Sequence, residues 1–289
     1  MEILMKNARN AACDAGKKRC PTPFLILVLL LFIPVNGCRG SKDYPGITKK
    51  NIPKREERIT LAGSRPIPYK LNRKYEYIFK TDKGDVGHGY FTFEKSDDGG
   101  FRLASSVDLN DTNGGILIKG DSTLVLDKDF CPISYERTSY YEYKDNSNSN
   151  GTEKAKASFA DGKMKLEVSS PQDIKSEQFE IEFPSGVFIF DNNFLGQMAF
   201  ICSQPVLKAG RSEILKVASV NQHAMITVRI TPKLKVELKY KDGKIIAYEV
   251  DMKADDSTFG RYFITPDGVL LKAEEMGGMM LIELANPDV

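Results

Sequence analysis

Histidine is scarce in this chain of 289 residues, with His88 and His223 its only two. Neither has a partner at zinc-ligand spacing such as His-Glu-x-x-His, so the sequence offers no metal site and calls for no cofactor. Nucleophilic catalysis needs a placed Ser or Cys beside a base, yet there is no Gly-x-Ser-x-Gly elbow, and Cys131 stands before Pro132 with no activating pattern around it. A non-enzymatic protein is therefore expected. Long apolar runs are also missing. The longest, Phe24 to Ile33, has ten residues, half of the roughly 20 that a bilayer-spanning helix requires.

That short run is nevertheless the most informative segment present. Lys17, Lys18 and Arg19 precede it and the small residues of Val35-Asn36-Gly37-Cys38 follow, which is the order of a secretory signal. The tetrapeptide resembles the lipobox of bacterial lipoproteins: Val35, Gly37 and Cys38 match it, and Asn36 departs from it. The resemblance implies a signal peptide over residues 1–37, cleavage before Cys38, and a diacylglyceryl group and further fatty acid such as palmitate on that cysteine. Each buried methylene adds about 0.8 kcal/mol to such an anchor. Arg39, standing where an Asp would favour the inner membrane, implies an outer-membrane protein facing the periplasm. The alternatives are a plain secreted protein or an uncleaved anchor.

Removing the first 37 residues takes away five basic and two acidic side chains and leaves a net charge of −1. The concentrated positive field needed for nucleic acid is absent. Cys13 and Cys20 leave with the signal, and Cys38 would carry lipid. Cys131 and Cys202 remain, and in an oxidising compartment they either form one disulfide or stay two small buried thiols.

Residues 38–68 are polar, contain Pro45, Pro53, Pro66 and Pro68, and include the basic stretch Lys49 to Arg55. Such a segment reads as a flexible tether, because it cannot bury enough apolar surface to offset its ordering entropy. From residue 69 to 289 the sequence alternates apolar with polar residues, as in Tyr75-Glu76-Tyr77, with Gly-containing turns at Asp82-Lys83-Gly84, Asp97 to Gly100, Asp161-Gly162 and Asp267-Gly268. The expected fold is all-β: an antiparallel, strongly curved sheet, half-barrel or sandwich, of about fourteen strands, with a subdivision near residue 185 as an option. One helix is expected near residues 191–203, with Asp191 or Asn192 as N-cap and Phe194, Leu195, Met198, Ile201 and Cys202 on one face against the concave side of the sheet.

This order resembles the antiparallel half-barrel of the bacterial lipoprotein carriers and of several uncharacterised periplasmic families. The resemblance lies in Tyr75-Glu76-Tyr77, the segment Asp127 to Ile133, the mid-chain helix and the hairpin Phe263 to Lys272. An apolar ligand or lipid on the concave face is thus one expectation, with Phe194, Leu195, Met198, Ile201, Tyr135 and Tyr141 lining it. Tyr135, Tyr140, Tyr141 and Tyr143 also fit a plain cross-strand aromatic ladder. The other expectation is an assembly scaffold that recruits envelope proteins through its sheet edge. Two further motifs lose their chemistry on inspection. Asp108 to Gly115 has Asn113 where a calcium loop needs Gly and reads as a hairpin turn, and Glu274 and Glu275, adjacent on a strand, face opposite ways.

Overall fold

The computed structural model describes residues 56–285 except 112–114, 146–149, 171–175, 192–193, 241–242, 255–256 and 276–277. The signal, the lipobox with Cys38 and most of the expected tether lie outside the described residues. So do Asn192 and the centre of the Asp108–Gly115 motif.

The alternation in the sequence becomes strands whose odd or even residues face one shared interior. In β2 (Lys74–Thr81) Tyr75, Tyr77 and Phe79 are buried, and in β3 (Gly84–Lys95) Phe91 and Phe93 are. The remaining strands are β1 (Glu56–Ile59), β4 (Phe101–Asp111), β5 (Ile116–Leu126), β6 (Pro132–Tyr143), β7 (Gly151–Ala160), β8 (Lys163–Ser169), β9 (Glu177–Glu182), β10 (Phe188–Phe190), β11 (Arg211–Ser219), β12 (Ala224–Tyr240), β13 (Gly243–Ala254), β14 (Ser257–Ile264), β15 (Leu270–Glu275) and β16 (Met280–Leu284). They form one sheet in the order β1-β11-β12-β13-β14-β15-β16-β2-β3-β4-β5-β6-β7-β8-β9, with β10 also on β11. Strands on both sides of residue 185 belong to it. The fold is thus all-β, a large curved, unclosed sheet with one helix among the described residues.

Two features of this sheet were not legible in the alternation. The final strand, β16, inserts between β15 and β2 and so joins the two ends of the described chain. Secondly, β11 carries two short parallel partners on the same edge, β1 opposite Arg211–Ile214 and β10 opposite Val217–Ser219. Every other pair is antiparallel, as expected. β1 lies inside the segment read as a tether; four residues are too few to show a period. β12 runs on through Pro232, which cannot donate a ladder hydrogen bond, because that residue falls at a bulge between Pro232 and Lys235.

The helix, α1 (Leu195–Ser203), starts later than expected. Phe194 occupies the N-cap position with extended backbone and no side-chain cap. Asp191 does not cap it because its carboxylate accepts from a buried arginine, and a charge-assisted bond outcompetes a neutral cap. Nor is α1 one-faced: all nine residues are buried. With no charged residue in Leu-Gly-Gln-Met-Ala-Phe-Ile-Cys-Ser, it sits wholly inside the curve. Phe200 contacts Phe93, Phe130 and Phe188 at ring-centroid separations of 6.2, 6.0 and 5.8 Å.

Candidate functional site

The strongest concentration of chemistry in the described residues is a buried charged cluster centred on Arg137. The period of β6 turns Tyr135, Arg137, Ser139 and Tyr141 inward together. An arginine therefore enters the core because of its place in the alternation. Its side chain is 1% exposed, and an uncompensated cation there costs several kcal/mol.

The surrounding chain supplies the compensation from three directions. Arg137 Nη1 donates to Asp191 Oδ2 at 2.8 Å and to Asn221 Oδ1 at 2.8 Å. Arg137 Nη2 donates to Glu153, which comes from the inward phase of neighbouring β7. Asp191, between β10 and α1, also accepts from the Tyr135 hydroxyl at 2.7 Å and from Asn221 Nδ2 at 3.2 Å. Its backbone N–H donates to Gln197 Oε1 in α1 at 3.1 Å. Burial opposes the charge on Arg137, but Asp191, Tyr141 and Glu153 together push its pKa up and keep it protonated. Burial likewise pushes the Tyr135 and Tyr141 hydroxyls up, so both stay neutral.

This arrangement works as a strap. The members belong to β6, β7, the approach to α1, α1 itself and the β11–β12 turn, so they tie strands near the β9 end of the sheet to its opposite end across the interior. Beside the strap, His223 stacks on Phe179 of β9 with ring centroids 3.9 Å apart. That contact brings the last strand of the sheet against the β11–β12 turn. Burial, and then the charge of Arg137, lowers the His223 pKa to about 4, so the ring is neutral at pH 7. Its backbone is left-handed, with φ 53°.

A second group lies around the C-terminal half of α1. The Tyr77 hydroxyl donates to the Leu270 carbonyl at 2.7 Å, the Leu270 N–H donates to the Tyr69 hydroxyl at 3.0 Å, and the Tyr262 hydroxyl donates to Glu275 at 2.8 Å. Burial, with Glu275 nearby, pushes the Cys202 thiol up, and burial pushes the half-buried Cys131 thiol up as well. Both cysteines are free thiols, so the expected disulfide option is not the one taken. Cys202 is held inside on α1, whereas Cys131 sits at the β5–β6 turn, where its N–H donates to Asp127 Oδ1 at 2.8 Å.

The expected ligand-lining residues are all buried on the inner side of the sheet. Phe194, Leu195, Met198 and Ile201 are 1–9% exposed. Beneath the first turn of α1 the fit is close: a Cβ on Gly196 would lie 2.2 Å from Ser105 Oγ and 2.9 Å from Leu103 Cδ1. Tyr135 and Tyr141 face inward, beside the charged strap, while Tyr140 points out. Glu274 and Glu275 face opposite ways as expected, Glu274 pairing with Lys272 at 2.9 Å and Glu275 meeting Tyr262. Sequence reasoning passed over Arg137, Glu153 and Asn221 and met Asp191 only as a candidate N-cap. The phase of Tyr135-Glu136-Arg137 was the available signal, since it aligns Arg137 with the inward tyrosines.

No family model matches this chain, and no curated protein matches it. Among solved structures it is similar to a crystal structure of a β-barrel-like protein of domain of unknown function DUF1849 from Brucella abortus. The two share 14% identity over 74% of this chain and 95% of that chain, with a TM-score of 0.49.

Proposed function

We propose that this chain is a non-enzymatic cell-envelope protein, anchored through lipid on Cys38 to the outer membrane facing the periplasm, and that it acts as an assembly scaffold through its exterior. One observation carries the choice between exterior and interior: every residue of α1 is buried in the concave face where an apolar ligand would sit. Binding a lipid there requires α1 to leave its seat, together with Phe200 and the Asp191–Gln197 bond. The Arg137 strap supports the same reading, because its carboxylates, amide and guanidinium engage one another and leave the interior as a fixed core.

Recovery of the protein from its native membrane tests this reading. Mass spectrometry of the N-terminal peptide is expected to show an acylated Cys38, and Cys38→Ala is expected to abolish the acylation and release the chain from the membrane. Native mass spectrometry of the released chain is expected to give the polypeptide mass alone. A stoichiometric apolar adduct would transfer the function to the interior, and an unmodified Cys38 would remove the anchor.

A further inference from the structure

Part of the β12–β13 hairpin extends beyond the rest of the sheet. β11 holds β12 only from Ala224 to Ile230, and β14 holds β13 only from Tyr248 to Ala254. Val236–Tyr240 and Gly243–Ala247 therefore pair with each other and, among the described residues, with no further strand. The two faces of this ribbon differ. Val236 opposite Ala247 and Leu238 opposite Ile245 form a shielded face, and the Tyr240 hydroxyl donates to the Leu271 carbonyl of β15 at 3.2 Å, so the ribbon leans across the rim of the sheet. The other face pairs Lys235 with Tyr248, Glu237 with Ile246 and Lys239 with Lys244. Ile246 on this face is 56% exposed.

Charge and position identify what this face meets. Between Lys233 and Tyr248 the sequence has five lysines against Glu237 and Asp242. Lys233 is paired with Asp251 and Lys244 with Glu237, while Lys235 and Lys239 have no acidic partner among the described residues. An exposed isoleucine flanked by lysines suits the boundary between headgroups and acyl chains. A protein strand added to the ribbon edge fits less well, because lysines along an edge discourage pairing. The strand register gives the direction. β1 begins at Glu56 opposite Arg211 and runs parallel to β11, whose Glu213 lies opposite Ile230. The chain from Cys38 thus arrives at the same rim from which the ribbon extends. Seventeen residues, Arg39 to Arg55, separate them, and a chain of that length spans at most about 60 Å.

We propose that the β12–β13 ribbon is a membrane-contact surface that lies on the anionic bilayer holding the anchor, with Ile246 entering the interface and Lys235, Lys239 and Lys244 meeting lipid phosphates. It rests on the reading of Cys38 as the attachment point. Contact would orient the body, holding this rim down and presenting the opposite rim, at Asp82-Lys83, to the periplasm. Each lysine at an anionic surface favours contact by roughly five-fold.

The test uses the full chain reconstituted into phosphatidylcholine vesicles with or without phosphatidylglycerol, with an environment-sensitive fluorophore on Ile246→Cys or, at the opposite rim, on Lys83→Cys. The labelled unsubstituted chain serves as blank. In anionic vesicles at low salt, a bilayer-borne quencher is expected to quench the label at 246 and not that at 83. About 1 M salt, where the screening length is about 3 Å, or Lys235→Glu with Lys239→Glu and Lys244→Glu, is expected to abolish the difference, and the three Lys→Gln changes to reduce it while an unchanged melting curve confirms folding. Equal quenching at the two sites, or a difference indifferent to phosphatidylglycerol and salt, would overturn the ribbon contact. The mass of the Cys38 peptide from the same sample reports the anchor separately: acylation without selective quenching leaves the anchor and removes the ribbon contact, and selective quenching without acylation does the reverse.

Discussion

Replacing Arg137 by Met is the most demanding test of the interior. The change keeps an unbranched side chain of similar length and removes the cation that Asp191, Asn221 and Glu153 surround. Two carboxylates then remain in a space where Asp191 is 0% and Glu153 7% exposed. Breaking a buried ion pair from one side costs about 3–5 kcal/mol, mostly through the partner left without compensation. For a body of this size, each kcal/mol lowers the melting temperature by about 2–4 °C, so a fall of roughly 6–20 °C is expected. Urea denaturation followed by far-ultraviolet circular dichroism measures the same loss as a lower midpoint at unchanged slope. The partner variants give the reasoning its sharp edge. Adding Asp191→Asn and Glu153→Gln to Arg137→Met removes both orphaned charges, and the triple variant is expected to recover a substantial part of the loss. A single variant within about 1 kcal/mol of the parent, the range of a surface ion pair, or a triple variant with purely additive losses, would refute the strap.

Three further outcomes follow from specific contacts. Gly196→Ala is expected to destabilise by about 1–3 kcal/mol through overpacking, against the roughly 1 kcal/mol that helix propensity alone would gain, because the added Cβ meets Ser105 Oγ and Leu103; Ser105→Gly is expected to relieve it in a double-mutant cycle. Phe200→Ala, which empties the contact of α1 with Phe93, Phe130 and Phe188, is expected to cost about 3–5 kcal/mol in the same denaturation assay. His223, with its folded pKa lowered to about 4, binds its proton more readily when unfolded, so it contributes stability above about pH 6.5 that is lost as the pH falls toward 4. His223→Asn, which tolerates the left-handed backbone, is expected to flatten the melting temperature across that window; an unchanged slope would show that other groups set the acid response.

The parts of this molecule legible in its sequence are those written in a short period. Tyr75, Tyr77 and Phe79 alternate with polar neighbours, and β2 follows directly. Asp97-Asp98-Gly99-Gly100 marks a turn, and the Ser96 N–H bonds across it to the Gly100 carbonyl at 2.9 Å. Parallel β1 and β10 have four and three residues, too short for any period, and their pairing is decided by where α1 and the sheet edge leave room. The start of α1 was misplaced because Asp191 has two uses, and a tertiary arginine 54 positions away claimed it. The strap itself was half visible. Tyr135 and Tyr141 were singled out, but Arg137 between them on the same phase was passed over, and Asn221 could join only once the β11–β12 turn had a place in space.

Hydrogen exchange on the backbone amides of α1 tests the central claim, that the concave interior is a closed core and the exterior carries function. If the helix is part of that core, its amides from Ala199 to Ser203 exchange as slowly as those of β3 and β4, through global unfolding only. Exchange of these amides orders of magnitude faster than the sheet, or accelerated by an added lipid that leaves the sheet unaffected, would contradict the account and make α1 the lid of a binding chamber.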